Sequence, residues 1–562
     1  MKNKIAIFSL ILLFLSGCAS PALSKTPTAA PSTEIASLPN AENESQPVNT
    51  EIPLPTMIPA PVVRLAEALP DGLHELLKEQ YGLENNPKEE ANLRLEWTEE
   101  GTAEVEWVYV LVTPFSSLIE QVDFETLKNW WQGKSGENTT SIYVTADTAR
   151  ALEPLLGRYS PNHVSIVEQN QLLESAWQQR DVVAIVPFEE LEPRWKVIAL
   201  NEQSPITNHF EKEVYPLILR YRWVGEEAVL QKLLNEGKIP ALITNRDENR
   251  LTVLVMTGVT ALVRATAVRM EQKGMTYPGE DIGNWLREAD LTHISNEVSF
   301  SPQCPDPKMD PFPLVFCSKP QYIELLDSVG TDIVDLTGNH GVDWGRDALT
   351  YSLDLYRSRG WVYYAAGENL NEARDAAFIE HNGNRFAFLG CNPAGPAYIW
   401  AGEDFGGVAP CDYDWIQSRI RQLKAEGYIV IFTFQYFETY RHWVMDFERE
   451  DFHKPADAGA VIVSGSQAHH PMAMEFYGDT FIHYGLGNLF FDQMWVDTVT
   501  IPEGTRKEFI DRHVFYNGKH ISTELLTAYL EDYARPRPMN ASERYDFLRE
   551  IFTAAGWGPY NP

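Results

Sequence analysis

The back half of the chain carries five short apolar runs, each closed by polar residues or glycine. They are residues 252–257 (TVLVMT), 289–297 (ADLTHISNE), 332–336 (DIVDL), 429–434 (IVIFTF) and 460–463 (AVIV). Runs this short and this greasy read as strands covered on both faces, which is how parallel sheets are built. Their closing residues are Gly258, then Ser295-Asn296-Glu297, Thr337-Gly338-Asn339-His340, Gln435, and Gly465-Ser466-Gln467-Ala468-His469. Open α/β sheets gather functional groups at the carboxyl ends of their strands, so these clusters are expected to line one cleft. Gly258 reads as a turn, and residues 261–272 as the helix after it.

The front half alternates in the same way. Residues 104–115 read as a strand ending in a turn, and 123–132 as a helix stopped by Gly133. Residues 141–144, 164–167 and 181–186 read as strands, with helices over 148–156 and 171–179. That alternation predicts a second α/β unit with a largely parallel sheet. The expected organisation is a leader over residues 1–18, a tether over 19–61, and folded units over 62–245 and 250–562. The tether is dense in Pro, Ser, Thr, Ala and Asn and cannot bury enough to offset chain entropy.

Composition closes off other classes. An apolar share of 44% supports sizeable cores and excludes a wholly disordered chain. With 46 Lys+Arg against 79 Asp+Glu the net charge is −33, which repels phosphate backbones, so no nucleic-acid partner is expected. At the start, Lys2 and Lys4 precede an apolar run over residues 5–15 that is too short to span a bilayer. Leu15-Ser16-Gly17-Cys18 resembles the bacterial lipobox. The resemblance implies acylation of Cys18 and anchoring at the cell membrane, facing outside the cytoplasm. In that compartment Cys304 with Cys317, and Cys391 with Cys411, are expected as two disulfides; buried free thiols are the alternative. The spacings lack the paired signature of a zinc site.

Two further resemblances follow from short motifs. Val122 to Lys128 with Trp131-Gln132-Gly133, Ala184 to Phe188, Ser204-Pro205 and Tyr215-Pro216-Leu217 resemble the type II periplasmic solute-binding proteins, in particular the phosphate-binding branch. That implies a periplasmic-binding-protein-like α/β domain over about 180 residues. The family's anion loop has one counterpart here, Thr113-Pro114-Phe115-Ser116-Ser117, which also reads as a plain Ser-capped turn.

The back half resembles the CapA family, the poly-γ-glutamate (capsule) synthesis proteins. The matching blocks are Gly338-Asn339-His340 with Asp343-Trp344-Gly345, Gly367-Glu368-Asn369 with Glu372-Ala373, Gly465 to His469 with Pro471, and Tyr484-Gly485-Leu486-Gly487-Asn488. The resemblance implies a calcineurin-like metallophosphatase fold, an αββα sandwich. It also implies where metal ligands belong. Here the ligand Asp of the first block is replaced by Val259, while Arg264 is kept. Glu297, Asn339, His340 and His469 are kept; Gln435 and Gln467 stand where the family has His. Amides and valine bind transition metals far less well than imidazole or carboxylate, so a dinuclear centre is not expected. A single weakly held divalent ion (Mn or Zn) and a metal-free hydrogen-bonded pocket remain as alternatives. His340 with Glu297 could supply acid/base chemistry without metal. Arg264, Gln435 and Gln467 would line the pocket. His470 is expected to point away from it, and His442 and His453 to be exposed.

The resulting expectation is a cell-envelope lipoprotein of the CapA type. Its partners would be an envelope polymer such as poly-γ-glutamate or the machinery that makes, exports or anchors it. The alternatives are a metal-dependent envelope hydrolase of phosphoesters or amides, and a solute-binding lipoprotein with a degenerate catalytic scaffold.

Overall fold

The structure is a computed structural model that describes residues 58–86, 90–99, 102–134, 140–310, 312–494 and 503–558. The leader, Cys18 and the tether up to residue 57 lie outside the described residues. Ile58–Pro562 forms one compact unit.

The front part is built on a long strand, β1 (Val105–Pro114), in a 9-stranded sheet. Parallel pairing is found between Ser141–Val144 and its two neighbours, Val164–Ile166 and Val182–Pro187. Around β1 the sheet is antiparallel, with Ile218–Gly225 on one side and Val182–Pro187 on the other. The sheet is therefore mixed rather than largely parallel: Val63–Arg64 also pairs in parallel with Leu93–Trp97, and Ile243–Thr244 with β1, but β1 is antiparallel to both of its long neighbours. The helix Phe124–Gln132 buries Leu127 and Trp131, one turn apart, and ends at Gly133 with φ 66°. The next helix starts before residue 148, at Ala146, because the Thr145 hydroxyl caps the Thr148 N–H.

The back part stacks two sheets. One has 7 strands and includes β2 (Leu251–Thr260), β3 (Leu291–Asn296) and β4 (Ile333–Asp335), which run parallel. The other has 6 strands and includes β5 (Asn384–Cys391), β6 (Ile429–Gln435) and β7 (Ile462–Ser466), also parallel. The antiparallel strands β8 (Lys507–Tyr516) and β9 (Lys519–Glu531) extend the first sheet beside β2. Phe386, Phe388, Ile431, Phe481, Phe509 and Phe515 fill the core between the sheets. Helices Arg264–Lys273 and Arg346–Arg359 cover the first sheet's outer face; Tyr413–Ala425 and Asp446–Ala458 cover the second's. The result is an α/β fold in four layers, αββα. Cys304 pairs with Cys317 and Cys391 with Cys411 as disulfides.

Gly258 does not turn the chain. β2 runs through it to Thr260, and the helix starts at Arg264. A Cβ at Gly258 would lie 2.2 Å from the Gly487 carbonyl oxygen, so the glycine serves a close approach of backbones. Beyond it, Val259 and Ala261 stay extended because they pair with Gly487, Leu489 and Phe490.

The front and back parts share a core. Leu251, Val253, Val514, Tyr516 and Ile521 belong to the same cluster as the front sheet's apolar residues. Phe115 lies 5.1 Å from Phe476, 5.6 Å from Phe481 and 5.8 Å from Trp557, ring to ring. The Tyr516 hydroxyl donates to the Asn245 carbonyl and accepts from the Asp247 N–H, each at 3.0 Å.

Polar groups inside this core make stability depend on pH. Burial holds His293 and His520 down at about 3 and drives His513 far below the usual imidazole value. Between pH 6.5 and 3 the unfolded chain binds these protons and the folded chain does not, so each histidine removes about 1.4 kcal/mol of stability per pH unit. Burial also raises Glu189 to about 7 and Asp335 to about 6. Those two act in the opposite sense, adding stability as pH falls toward the ordinary carboxyl range near 4. With three histidines against two carboxyls, we expect the urea midpoint to fall from about pH 6.5 downward, and most steeply below about pH 4, where the carboxyls no longer offset the loss. A midpoint that holds level down to pH 3 contradicts neutral buried histidines.

Candidate functional site

The carboxyl ends of β3, β4, β6 and β7 meet at one end of the back part. Glu297 directly follows β3, and its N–H donates to the Thr260 carbonyl at 3.0 Å. Gly338 lies against it: a Cβ there would sit 2.5 Å from the Glu297 Cα, so only glycine lets the Asn339-His340 segment come this close. Gln435 is the last residue of β6, and Gln467 follows β7 with φ 76°. Beneath them Ser295 and Ser466 meet hydroxyl to hydroxyl at 3.1 Å, one from each sheet.

Gln435 is the centre of the pocket. Its amide nitrogen donates to Glu297 Oε1 at 3.0 Å and to Asn339 Oδ1 at 3.2 Å, and it also contacts Gln467 Oε1. Glu297, Gln435 and Gln467 are all buried. Glu297 Oε2 and Gln435 Oε1 are buried without a hydrogen-bond partner among the described residues. The pocket therefore holds more acceptors than donors.

His340 sits beside this group. Its Nδ1–H donates to Asp343 Oδ2 at 2.6 Å, and its ring packs 4.4 Å from Phe316. Burial lowers the imidazole's affinity for a proton. The Asp343 hydrogen bond and the charge of Glu297 outweigh it, leaving His340 above its ordinary value.

The other expected residues are turned to partners of their own. His469, at φ 51°, bonds through Nδ1 to Asn488 Oδ1 at 2.8 Å. Arg264 donates from Nε to the buried Asp492 at 3.1 Å, and its guanidinium lies over Phe316 and Phe491. Val259 lies in an apolar cluster with Ala261, Val263, Val298, Phe316 and Phe491. His470 bonds to the Pro471 carbonyl, with its ring 4.5 Å from His442. His442 and His453 are half-buried rather than exposed, because His442 meets the Pro471 carbonyl and His453 stacks on Tyr477 at 3.7 Å. In the front part Thr113 donates to the Val182 carbonyl, and Phe115 packs into the back part's aromatic cluster. Asp343, Asn488 and Asp492 were not singled out by sequence; Asp343 and Asn488 lie inside quoted blocks, and that was their only signal.

The site is thus a strand-end polar pocket in a two-sheet α/β domain. Residues 253–493, which include every pocket residue, match the family described as bacterial capsule synthesis protein PGA_cap. The chain is 27% identical over 177 residues to the PGA biosynthesis protein CapA of Bacillus subtilis (strain 168), covering 31% of this chain and 47% of that protein. It is 23% identical over 264 residues to the capsule biosynthesis protein CapA of Bacillus anthracis, covering 46% and 64%. The chain thus spans about half of the first relative and under two thirds of the second. Among solved structures, a 5'-nucleotidase precursor from Thermus thermophilus overlaps with TM-score 0.32 and 12% identity, over 54% of this chain and 58% of that one. An ABC-type phosphate transport receptor from Vibrio cholerae overlaps with TM-score 0.26 and 11% identity, over 31% and 91%. Overlaps this loose do not define a fold; the layering described above rests on the strand pairings.

A two-metal centre does not fit these residues. Among the described residues no group of three or more His, Cys, Asp or Glu is arranged to hold a metal ion. An N–H donor stands where lone pairs would have to converge, and the first carboxylate position is a valine in an apolar cluster.

The Asp343–His340 pair makes a measurable prediction. In Asp343→Asn the His340 titration, followed by NMR, should fall on the order of one pH unit. A raised histidine contributes stability below pH 6.5 that is lost as pH rises through its folded value, so the variant should be penalised more at pH 6 than at pH 9. Identical titration curves for wild type and variant contradict the pairing.

Proposed function

We propose that this chain is a lipid-anchored envelope protein that helps make, export or anchor a capsule-type polymer such as poly-γ-glutamate. The observation that carries this reading is the family match over residues 253–493, whose relatives are described as PGA and capsule biosynthesis proteins. The Leu15-Ser16-Gly17-Cys18 segment supports anchoring through Cys18 at the outer side of the cell membrane. The net charge of −33 opposes direct gripping of a polyanion, so the partner we favour is the polymer's synthesis or export machinery.

A hydrolytic reading has one observation in its favour: a histidine oriented by an aspartate beside a buried glutamate. In that reading His340 moves a proton at the scissile phosphoester or amide, and Glu297 holds the charge that develops on the imidazole. Solute capture by the front part has no comparable support, since its one anion-loop candidate is spent on packing.

Cells lacking the chain, supplied with wild type or with Cys18→Ala, test the first reading. Cell-associated polymer should fall several-fold without the chain and return with wild type. Cys18→Ala should leave the membrane fraction and restore less polymer. Unchanged polymer in cells lacking the chain refutes the polymer role, and Cys18→Ala that stays in the membrane fraction refutes the anchor. Loss of a hydrolytic product with His340→Ala, at unchanged polymer, would favour the second reading.

A further inference from the structure

We propose that the Gln435 amide is a resident substitute for a metal ion, so that the pocket is closed to divalent cations by one of the protein's own side chains. The proposal concerns the pocket alone and stands whether or not the chain acts on a polymer.

Three side-chain oxygens, from Glu297, Asn339 and Gln467, point at one position, and they come from the ends of three different strands. Convergence of a carboxylate and two amide oxygens is the donor set of a hard cation. The atom at that position is instead Gln435 Nε2, which offers two N–H groups and no lone pair for coordination. Turning the amide over would set its oxygen against the Glu297 carboxylate.

The buried atoms left unpaired point the same way. Glu297 Oε2 and Gln435 Oε1 have no hydrogen-bond partner among the described residues. One NH₂ group has two hydrogens for three acceptors, whereas a cation accepts lone pairs from every side. A surplus of acceptors is what remains when an amide fills a position whose walls still present oxygen. Val259 adds no lone pair of its own: it lies in an apolar cluster with Ala261, Val263, Val298, Phe316 and Phe491.

The test uses the full chain purified in detergent, read by thermal unfolding and metal analysis rather than by activity. Wild type should unfold at the same temperature in excess EDTA and in excess MnCl₂, and should carry no stoichiometric Mn or Zn. Gln435→Glu keeps the shape but places a carboxylate among the three oxygens. It should unfold about 5–10 °C lower in EDTA, since it buries an unpaired charge, and should recover in MnCl₂. Gln435→His should gain Mn or Zn binding at least tenfold over wild type. If Gln435→His fails to fold, Gln435→Glu decides alone. Wild type that carries stoichiometric metal, or is stabilised by MnCl₂, overturns the proposal. So does Gln435→Glu that unfolds like wild type in EDTA and ignores MnCl₂. The polymer measurement is made in cells and these on purified protein, so failure of one reading is distinguishable from failure of the other.

Discussion

Where β2 passes residue 487, two backbones meet with no side chain between them, and the pocket depends on that meeting. The Val259 N–H donates to the Gly487 carbonyl at 3.0 Å, the Leu489 N–H to Val259 at 2.8 Å, and the Ala261 N–H to Phe490 at 3.1 Å. These bonds extend β2 beyond its partner β8, which stops pairing with it at Thr257. They also draw in a segment that leaves the other sheet after His483. Asn488 and Asp492 arrive on that segment, one to hold His469 and the other to hold Arg264. A side chain at residue 258 would push the segment outward and remove both partners together.

The replacements at the ligand positions are physically consistent with one another. Valine at 259 removes a negative charge and joins an apolar cluster that also packs Phe316, which in turn supports the His340 ring. Without that charge, Glu297 is the one carboxylate that touches the Gln435 amide among the described residues. The amide nitrogen at 435 then meets the oxygens of Glu297, Asn339 and Gln467 with a dipole, which costs less to bury than an ion.

The runs that became β2, β3, β4, β6 and β7 were legible because a strand buried on both faces must be apolar throughout, and their polar terminators were legible as site residues for the same reason. The two disulfides were legible from their spacing and from the compartment that the Leu15-Ser16-Gly17-Cys18 resemblance implies. What escaped was whatever depends on a distant partner. Gly258 carries the same letter whether it turns a chain or lets two backbones touch, and only Gly487, more than two hundred residues away, decides which. Thr113-Pro114-Phe115 reads as an anion loop until the aromatic cluster of the back part exists to receive Phe115. Asp343 was visible as part of a block, but its role follows from the 2.6 Å contact with His340, which three-residue spacing in a loop does not reveal.

The wedge of Phe115 also bears on how the molecule can move. A binding domain that closes on a solute needs two lobes free to swing, and β1 runs through the middle of the front sheet with its end fixed in the back part. Tyr516 adds hydrogen bonds to Asn245 and Asp247 at a second point, and Arg544 reaches Glu120 at a third. Swinging one half of the front sheet would pull Phe115 from four aromatic neighbours, and such a ring costs about 3–5 kcal/mol to remove from a core. The front part is therefore tied to the back part at three points, through Phe115, Tyr516 and Arg544.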